Sequence, residues 1–346
     1  MRWPLSRRNW LTRFCGNRAR DMPVISAIAD PSNADRVVTR RIKIEGFEQL
    51  RAATPTTTSE IVQLEAGRMQ GELKHATVAG LSLGFGTFSR GLLSRGVYST
   101  ERLTIGFRLR RSRSVRHGIG SVRFWLPGAE HETRYAGAAS FGGISVAMQD
   151  MADFLGPDSR FGDGSIWRER QLVQADRQAG AGAEQALRSI MSSFDRGSLS
   201  LTQAEAVFWK RAILEAATSV MIGSQPEDTF VSSPARLVKR VQEYLERAGS
   251  APVHISELLS VLRVSRRTLH RAFDEVLGIP PMTYLRRRRL CAARILLTEA
   301  GEASVTVADV AFKHGFSDFG RFSGYYRSLF GENPAETLRS ARQGAS

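Results

Sequence analysis

Residues 264–273 of this chain read Val-Ser-Arg-Arg-Thr-Leu-His-Arg-Ala-Phe, and this stretch decides the fold of the last third of the molecule. Leu269, Phe273 and Val276 recur at helical spacing, which predicts one apolar side facing a core. The opposite side is polar and mostly basic, and it carries Arg267, His270, Arg271 and Asp274. Ser265 stands where a serine hydroxyl caps the first turn of a helix.

A shorter helix is predicted just before this one, over about residues 255–262. Its apolar positions follow helical spacing and are Ile255, Leu258, Leu259 and Leu262. A tight turn at residues 263–264 separates the two helices. Two short helices, a tight turn and a basic exposed side on the second predict a helix-turn-helix, whose second helix enters the major groove of DNA.

The same pattern occurs a second time in the chain. An offset of 53 residues aligns Ser265 with Asp318, Leu269 with Phe322 and Gly278 with Gly331. Between the copies, a long helix is predicted to begin at Pro281. Its predicted buried stripe is Leu285, Ala292, Ala293 and Leu296. We expect two DNA-reading units on one rigid connecting helix.

This third of the chain resembles the AraC/XylS class of bacterial transcription regulators over residues 234–340. In the first copy the matching residues are those of 264–273 with Gly278, Pro281, Tyr284, Leu285, Arg289, Leu290, Ala293, Leu296 and Leu297. The second copy matches at Asp309, Val310, Ala311, Gly315, Phe316, Arg321, Phe322 and residues 326–334. The resemblance implies two helix-turn-helix subdomains, promoter binding and usually activation of transcription. Residues 40–220 resemble, more loosely, a cupin-like ligand-binding half found in one branch of the class.

Carried over residue by residue, the resemblance assigns candidate DNA contacts. The base-reading candidates are Arg267, His270, Arg271 and Ser323, and the candidates for phosphate contact or helix orientation are Ser265, Arg266, Asp318 and Arg321. Gly320 and Gly324 stand where many family members carry serine and a basic residue. Glycine has no side chain to offer a base, so we expect the first copy to read sequence and the second to supply position and affinity. Arg321 meets a phosphate or, alternatively, pairs within the protein.

The connecting helix carries five arginines. They are Arg286, Arg287, Arg288, Arg289 and Arg294, and they surround the helix rather than sharing one side. We expect some to face solvent or phosphate and at least one to pair internally, with Arg289 as the structural candidate.

Charge is distributed unevenly along the 346 residues. Lys and Arg number 49 against 34 Asp and Glu, a net charge of +15. The excess is +6 in residues 1–45 and +7 in 232–346, with only +2 between them. Such an excess favours a polyanionic partner, nucleic acid first. Cys15 and Cys291 are too few for a disulfide framework or a cysteine zinc site, which fits a reducing, cytoplasmic location. No apolar run reaches the length of a membrane span.

Residues 60–148 alternate apolar and polar positions, as half-buried strands do. Leu103, Ile105, Phe107 and Leu109 are one such set, and frequent glycines punctuate the runs. Two amphipathic helices follow, one with Leu187 and Phe194 and one with Trp209 and Ile213. The fold class expected is α+β: an N-terminal cupin-like β-barrel with trailing helices, then an all-α AraC-type domain with two helix-turn-helix subdomains.

The predicted boundaries follow these changes of pattern. Residues 1–39 form a basic, disordered tail, 40–222 the barrel for effector binding and dimerisation, 223–233 a linker, and 234–346 the DNA-binding domain. A secretory signal is not expected in the tail, because arginines interrupt its apolar residues. A basic arm on DNA is the other interpretation of this segment. Ser233 is the predicted cap of the first helix after the linker.

The sequence thus predicts a cytoplasmic, homodimeric transcription regulator, an activator responsive to a small organic effector. Its other expected partners are double-stranded promoter DNA and RNA polymerase, with no membrane. One alternative is an effector-independent regulator whose barrel only dimerises. The other is a barrel enzyme tethered to DNA, which the lack of convergent His and carboxylate ligands disfavours. We expect no metal, no cofactor and no catalytic residue.

Overall fold

The computed structural model describes residues 37–53, 58–109, 119–156, 172–194, 201–220, 232–249, 252–300 and 305–343. Strands dominate the first half of this set and helices the second. The α+β class expected from the sequence is therefore confirmed. Helices of the described part include none that is long and apolar enough to cross a membrane.

Ten antiparallel strands lie in the described part of the N-terminal domain. Their bounds are β1 Val38–Ile44, β2 Thr58–Gln63, β3 Gly71–Val78, β4 Leu81–Phe88, β5 Leu92–Val97, β6 Arg102–Leu109, β7 Ile119–Trp125, β8 Glu130–Tyr135, β9 Ala139–Ala147 and β10 Leu172–Gln174. Seven form one sheet in the order β1-β3-β4-β9-β6-β7-β10, and three form a second in the order β2-β5-β8. The strands predicted for residues 60–148 are present, but they form two separate sheets rather than one closed ladder.

Helices cover one face of the larger sheet. Among the described residues, the helices of this domain are α1 Phe47–Ala53, α2 Met148–Leu155, α3 Arg177–Phe194 and α4 Gln203–Ser219. Leu103, Ile105 and Phe107 of β6 share a buried cluster with Leu187 of α3 and Ile213 of α4. Burying this face against amphipathic helices is what the period-two pattern of the strands requires. The predicted trailing helices thus pack on the sheet.

The described residues refine two predicted boundaries. Val37 is buried and β1 begins at Val38, so the last residues of the predicted tail belong to the sheet. Residues 1–36 lie outside the described part, as do 221–231 of the linker region. The next helix, α5, spans Ser233–Ala248 and its cap is Ser232, whose hydroxyl accepts the N–H of Ala235 at 3.3 Å. The cap expected at Ser233 is therefore one residue off.

Seven helices follow within the described residues. Their bounds are α5 Ser233–Ala248, α6 Ile255–Leu262, α7 Arg266–Leu277, α8 Pro281–Glu299, α9 Val307–Lys313, α10 Phe319–Phe330 and α11 Pro334–Gln343. The burial of the long helix α8 differs from its predicted stripe: Leu285 and Ala293 are buried as expected, but Ala292 and Leu296 are only half-buried. Cys291, Arg294 and Leu297, which the stripe did not include, are buried. The reason is that α8 is packed on two sides.

The second side of α8 meets the N-terminal domain. One buried apolar cluster contains residues of α1 and β2, such as Leu50 and Ile61, together with core residues of α5 to α11. The rings of Phe47 in α1 and Phe330 in α10 stack with centroids 5.9 Å apart. The strand-rich domain is therefore docked against the helical domain through a shared hydrophobic core.

Candidate nucleic-acid interface

Helices α6 and α7 form the first helix-turn-helix. The turn contains Arg263 in the left-handed conformation, with φ 52° and ψ 49°. The hydroxyl of Ser265 accepts the backbone N–H of Thr268 at 3.1 Å, which caps α7 as the sequence predicts. The apolar side of α7 buries Leu269 and Phe273.

The candidate residues of the first copy lie on the uncovered side of α7. The set Arg266, Arg267, His270 and Arg271 is exposed throughout. Guanidinium groups on such a surface suit the O6 and N7 acceptors of guanine in a major groove. Their contact with bases stays a prediction.

Helices α9 and α10 form the second copy. Oδ1 of Asp318 accepts the backbone N–H of Arg321 at 2.9 Å, so the predicted cap of α10 is present. Gly320 and Gly324 are exposed, while Ser323 is half-buried. Phe319, the first residue of α10, exposes 48% of its surface. At exposed positions where α7 presents basic side chains, α10 thus presents an apolar side chain or a glycine.

Arg321 has a partner inside the protein. Its Nε lies 3.3 Å from Oδ2 of Asp318, and the two side chains are 78% and 55% exposed. The intramolecular pairing considered for this residue is therefore present. Exposed pairs of this kind contribute about 0–1 kcal/mol, so the guanidinium can exchange its carboxylate for a phosphate at little cost.

The two copies differ by one residue in their turns. Arg263 stands three residues before the first residue of α7, whereas its counterpart Gly315, with φ +74°, stands four residues before the first residue of α10. The offset is therefore 53 for the reading helices and 52 for the helices before them. Glycine adopts this backbone conformation without strain, and arginine does not.

The arginines of α8 are mostly engaged within the protein. Arg288 Nε contacts Glu60 of β2 at 2.6 Å, and Arg294 pairs with Glu48 of α1 and Glu332 at 2.9 and 2.7 Å. Arg289 instead donates to the carbonyl of Gly315 at 3.0 Å and lies over the ring of Phe316. Arg289 is structural as expected, but the ion pairs belong to Arg288 and Arg294.

A cavity of about 460 Å³ lies between the two sheets of the N-terminal domain. The faces of the larger sheet that turn away from the helices line it, with small and polar residues such as Ser82, Thr104 and Ser121. The smaller sheet adds Ser94, Thr133 and Arg134. This size and mixed lining suit a small organic molecule.

Side chains that line the cavity include buried polar atoms without hydrogen-bond partners. Burial, and secondarily the charge of Arg40, lowers the pKa of His75 to about 4, so its ring is neutral near pH 7. Nε2 of His75 has no hydrogen-bond partner, and neither has Nε of Arg134. His75 and Arg134 thus line the cavity without using all of their hydrogen-bonding atoms within the protein. No pattern in the sequence singled out either residue.

Comparison with known proteins identifies the C-terminal domain. Residues 258–340 match the family described as "Helix-turn-helix domain". The XylDLEGF operon transcriptional activator of Pseudomonas putida is 29% identical over 123 residues, 36% of this chain and 38% of that protein. The transcriptional activator RhaS of Enterobacter sp. (strain 638) is 32% identical over 179 residues, 51% of this chain and 58% of that protein.

Among solved structures, a probable AraC family transcriptional regulator from Rhodopseudomonas palustris is 38% identical. The match covers 31% of this chain and 98% of the R. palustris chain, with a TM-score of 0.29. The chain spans less than two thirds of the length of the P. putida and Enterobacter activators. The match over residues 258–340 and the similarity to these activators, together with the paired helix-turn-helix units and their capped helices, assign the C-terminal domain of this chain to the AraC/XylS family.

Proposed function

We propose that this protein is a sequence-specific DNA-binding transcription regulator, acting as an activator. The observation that carries the proposal is the pair of capped, outward-facing helices α7 and α10, joined through the single helix α8. Two reading helices on one connector can enter successive major grooves on one side of a duplex. The proteins named activators among its relatives agree with the assignment.

The division of labour between the copies follows from their exposed surfaces. Arg267, His270 and Arg271 present hydrogen-bond donors for base edges, and Gly320 and Gly324 present none. We infer that α7 discriminates sequence and that α10 contributes position and affinity.

Selection of binding sites from a random duplex library by the full-length protein tests the proposal. We expect a recovered consensus with one strongly specified half-site and a second, weakly specified one. Fluorescence anisotropy on the recovered duplex and on a shuffled duplex should then differ by at least about a thousandfold, the lower end for specific recognition. Equal affinity for both duplexes would contradict sequence-specific regulation.

The cavity supports a second element of the function, response to a small organic effector. Its volume, its position between two sheets and its mixed polar and apolar lining favour a ligand site. The competing proposal is a regulator whose N-terminal domain serves only in dimerisation. A thermal-shift screen of organic acids, sugars and aromatics against wild type and His75→Leu separates the two. Stabilisation of wild type that is lost in the variant supports an effector, and no stabilised hit supports dimerisation alone.

Dimerisation through the trailing helices is part of the same proposal. Val207 and Phe208 on α4 expose 43% and 62% of their surfaces. A second copy covering this patch would remove apolar surface from water. Sedimentation of wild type against Phe208→Ser tests it, with a shift to monomer expected. Contact with RNA polymerase, a cytoplasmic location and a non-enzymatic role complete the proposed function.

A further inference from the structure

The N-terminal domain holds the end of the first reading helix. Nη1 of Arg134, in β8, donates to the carbonyl of Val276 in the last turn of α7 at 2.6 Å. Gly278, two residues after Val276, has φ +67°, and a Cβ there would lie 2.9 Å from Nη2 of Arg134. The guanidinium is thus seated against the C-terminal end of α7, where helices leave carbonyls without partners and favour positive charge.

The second reading helix is held at its end as well. Nε2 of Gln63 and the backbone N–H of Gly67 donate to the carbonyl of Leu329 in α10, at 2.8 and 3.0 Å. Gly331 has φ +79°, and a Cβ there would lie 3.1 Å from the backbone of Arg68. The segment 63–68, which begins at the last residue of β2, therefore caps α10.

The two attachments are equivalent under the internal repeat. The offset of 53 residues takes Val276 to Leu329 and Gly278 to Gly331. The N-terminal domain thus donates hydrogen bonds to the equivalent carbonyl in both copies, two residues before the equivalent glycine. Such a pair of contacts fixes the two reading helices relative to each other, in addition to what α8 does.

The attachments differ in chemistry. Gln63 is neutral and 1% exposed, and its side-chain amide nitrogen lies within hydrogen-bond distance of three carbonyl oxygens, those of Glu65, Gly67 and Leu329. Arg134 is charged and lines the cavity, and its Nε has no partner. Across the described residues, Arg134 forms no ion pair with a carboxylate. The attachment of α10 is therefore closed to ligands, whereas that of α7 can be reached from the cavity.

We propose that Gln63 and Arg134 are positioning residues for DNA recognition, which together set the spacing between the two reading helices. Gln63 is the permanent attachment. Arg134 is the adjustable one, because a molecule in the cavity that binds its guanidinium changes the bond to Val276. Their role in DNA recognition rests on the proposed DNA-binding function. The two attachments themselves rest on the geometry alone.

Hydrogen exchange on the full-length protein tests the geometry without DNA. In Arg134→Gln we expect amides of residues 274–279 to exchange about tenfold faster, the effect of losing one charge-assisted bond, while those of 326–331 keep their rates. Gln63→Leu should do the reverse. Arg108→Gln is the matched control, since Arg108 also lines the cavity and its hydrogen bond among the described residues goes to the backbone carbonyl of Arg134 rather than to α7. Arg134→Lys, which keeps the charge and a donor, should restore rates to within about threefold.

Exchange that is unchanged in Arg134→Gln, or accelerated equally by lysine and glutamine, overturns the proposal. So does acceleration spread evenly over the chain. Should Arg134→Gln not fold, the comparison of Arg134→Lys and Gln63→Leu with wild type decides the same question.

The spacing itself is measured on duplexes recovered by site selection, with one base pair inserted or removed between the half-sites. Wild type should lose about tenfold or more in affinity per change, and Arg134→Gln less than about threefold. Identical spacing profiles for wild type and Arg134→Gln would contradict the positioning role but not the proposed DNA-binding function. Failure of the wild type to select any site would instead contradict the proposed function, and the exchange rates would still decide whether the attachment exists.

Discussion

Arg271 lies on the exposed side of α7, one turn after Arg267, where no carboxylate of the described residues pairs with it. We predict that Arg271→Ala weakens binding of the selected site by about 1–3 kcal/mol and relaxes the preference at one base pair. Anisotropy titrations against all single-base changes of the site measure both effects. Asp274→Ala, on the same side of the helix, is the control and should not relax any position. A uniform loss over all sequences would assign Arg271 to phosphate.

Arg321 illustrates the opposite role at the same scale. Its ion pair with Asp318 is exposed and weak, so a phosphate oxygen can replace the carboxylate. We predict that Arg321→Ala weakens all duplexes about equally and reduces the salt slope by about one contact. Arg327→Ala, at the other end of α10, is the charge-matched control with a smaller effect. A changed base preference in Arg321→Ala would show that the second copy reads sequence.

Arg263 holds a conformation that favours glycine. Its φ of 52° costs an L-residue about 1 kcal/mol, and the second copy has Gly315 at the equivalent turn position. We therefore predict that Arg263→Gly raises the free energy of unfolding by up to about 1 kcal/mol. Chemical denaturation measures the change, and Arg266→Gly in the first turn of α7 should destabilise instead. Equal destabilisation by both would mean that the arginine side chain stabilises the turn.

At the scale of elements, α8 joins the two domains through Arg294. This side chain is 8% exposed and pairs with Glu48 and Glu332, while Thr337 also donates to Glu332. Removing one partner leaves two carboxylates in a partly buried site. We predict that Arg294→Ala lowers the free energy of unfolding by about 3–5 kcal/mol, measured by denaturant titration. Arg339→Ala on the exposed side of α11 is the control and should change it by less than about 0.5 kcal/mol.

The same cluster has a pH dependence. Burial acts to raise the pKa of Glu332, but its hydrogen bond from Thr337 and the charge of Arg294 hold that pKa below the ordinary 4.5. Its stabilising contribution is therefore complete above pH 4.5 and is lost as the pH falls through the lowered value. Wild type should lose stability in this acid range more steeply than Glu332→Gln. Parallel acid unfolding curves would contradict the prediction.

At the scale of the whole molecule, the charge of +7 on residues 232–346 acts on a polyanion. Each phosphate neutralised lowers the slope of log affinity against log salt by about 0.9. We predict a slope steeper than about −4 for the selected duplex, measured by anisotropy between 50 and 300 mM salt. A nearly flat dependence would mean that the charge only keeps the protein soluble. Arg288 and Arg294 should contribute little to the slope, because carboxylates of the protein neutralise them.

Local sequence patterns are sufficient to predict the helical third of the protein. The ends of its helices are indicated by local chemistry, such as the cap at Ser265 and the glycine at 278. Their buried sides are indicated by the spacing of apolar residues. Because these determinants lie within a few residues of each other, the repeat, the turns and the family could be predicted from them. The exposed set of Arg267, His270 and Arg271 follows from the same periodicity.

The tertiary structure alone decided how the N-terminal domain is used. Alternation in β6 predicts two faces but not what covers each, and the apolar face packs on helices while the polar face lines the cavity. The partner of Arg288 is Glu60, 228 residues away, so no local pattern could choose it over Arg289. The bonds from Arg134 and Gln63 to the ends of α7 and α10 likewise depend on how two domains dock. Local chemistry specifies elements, whereas contacts between distant segments exist only once those elements are packed together.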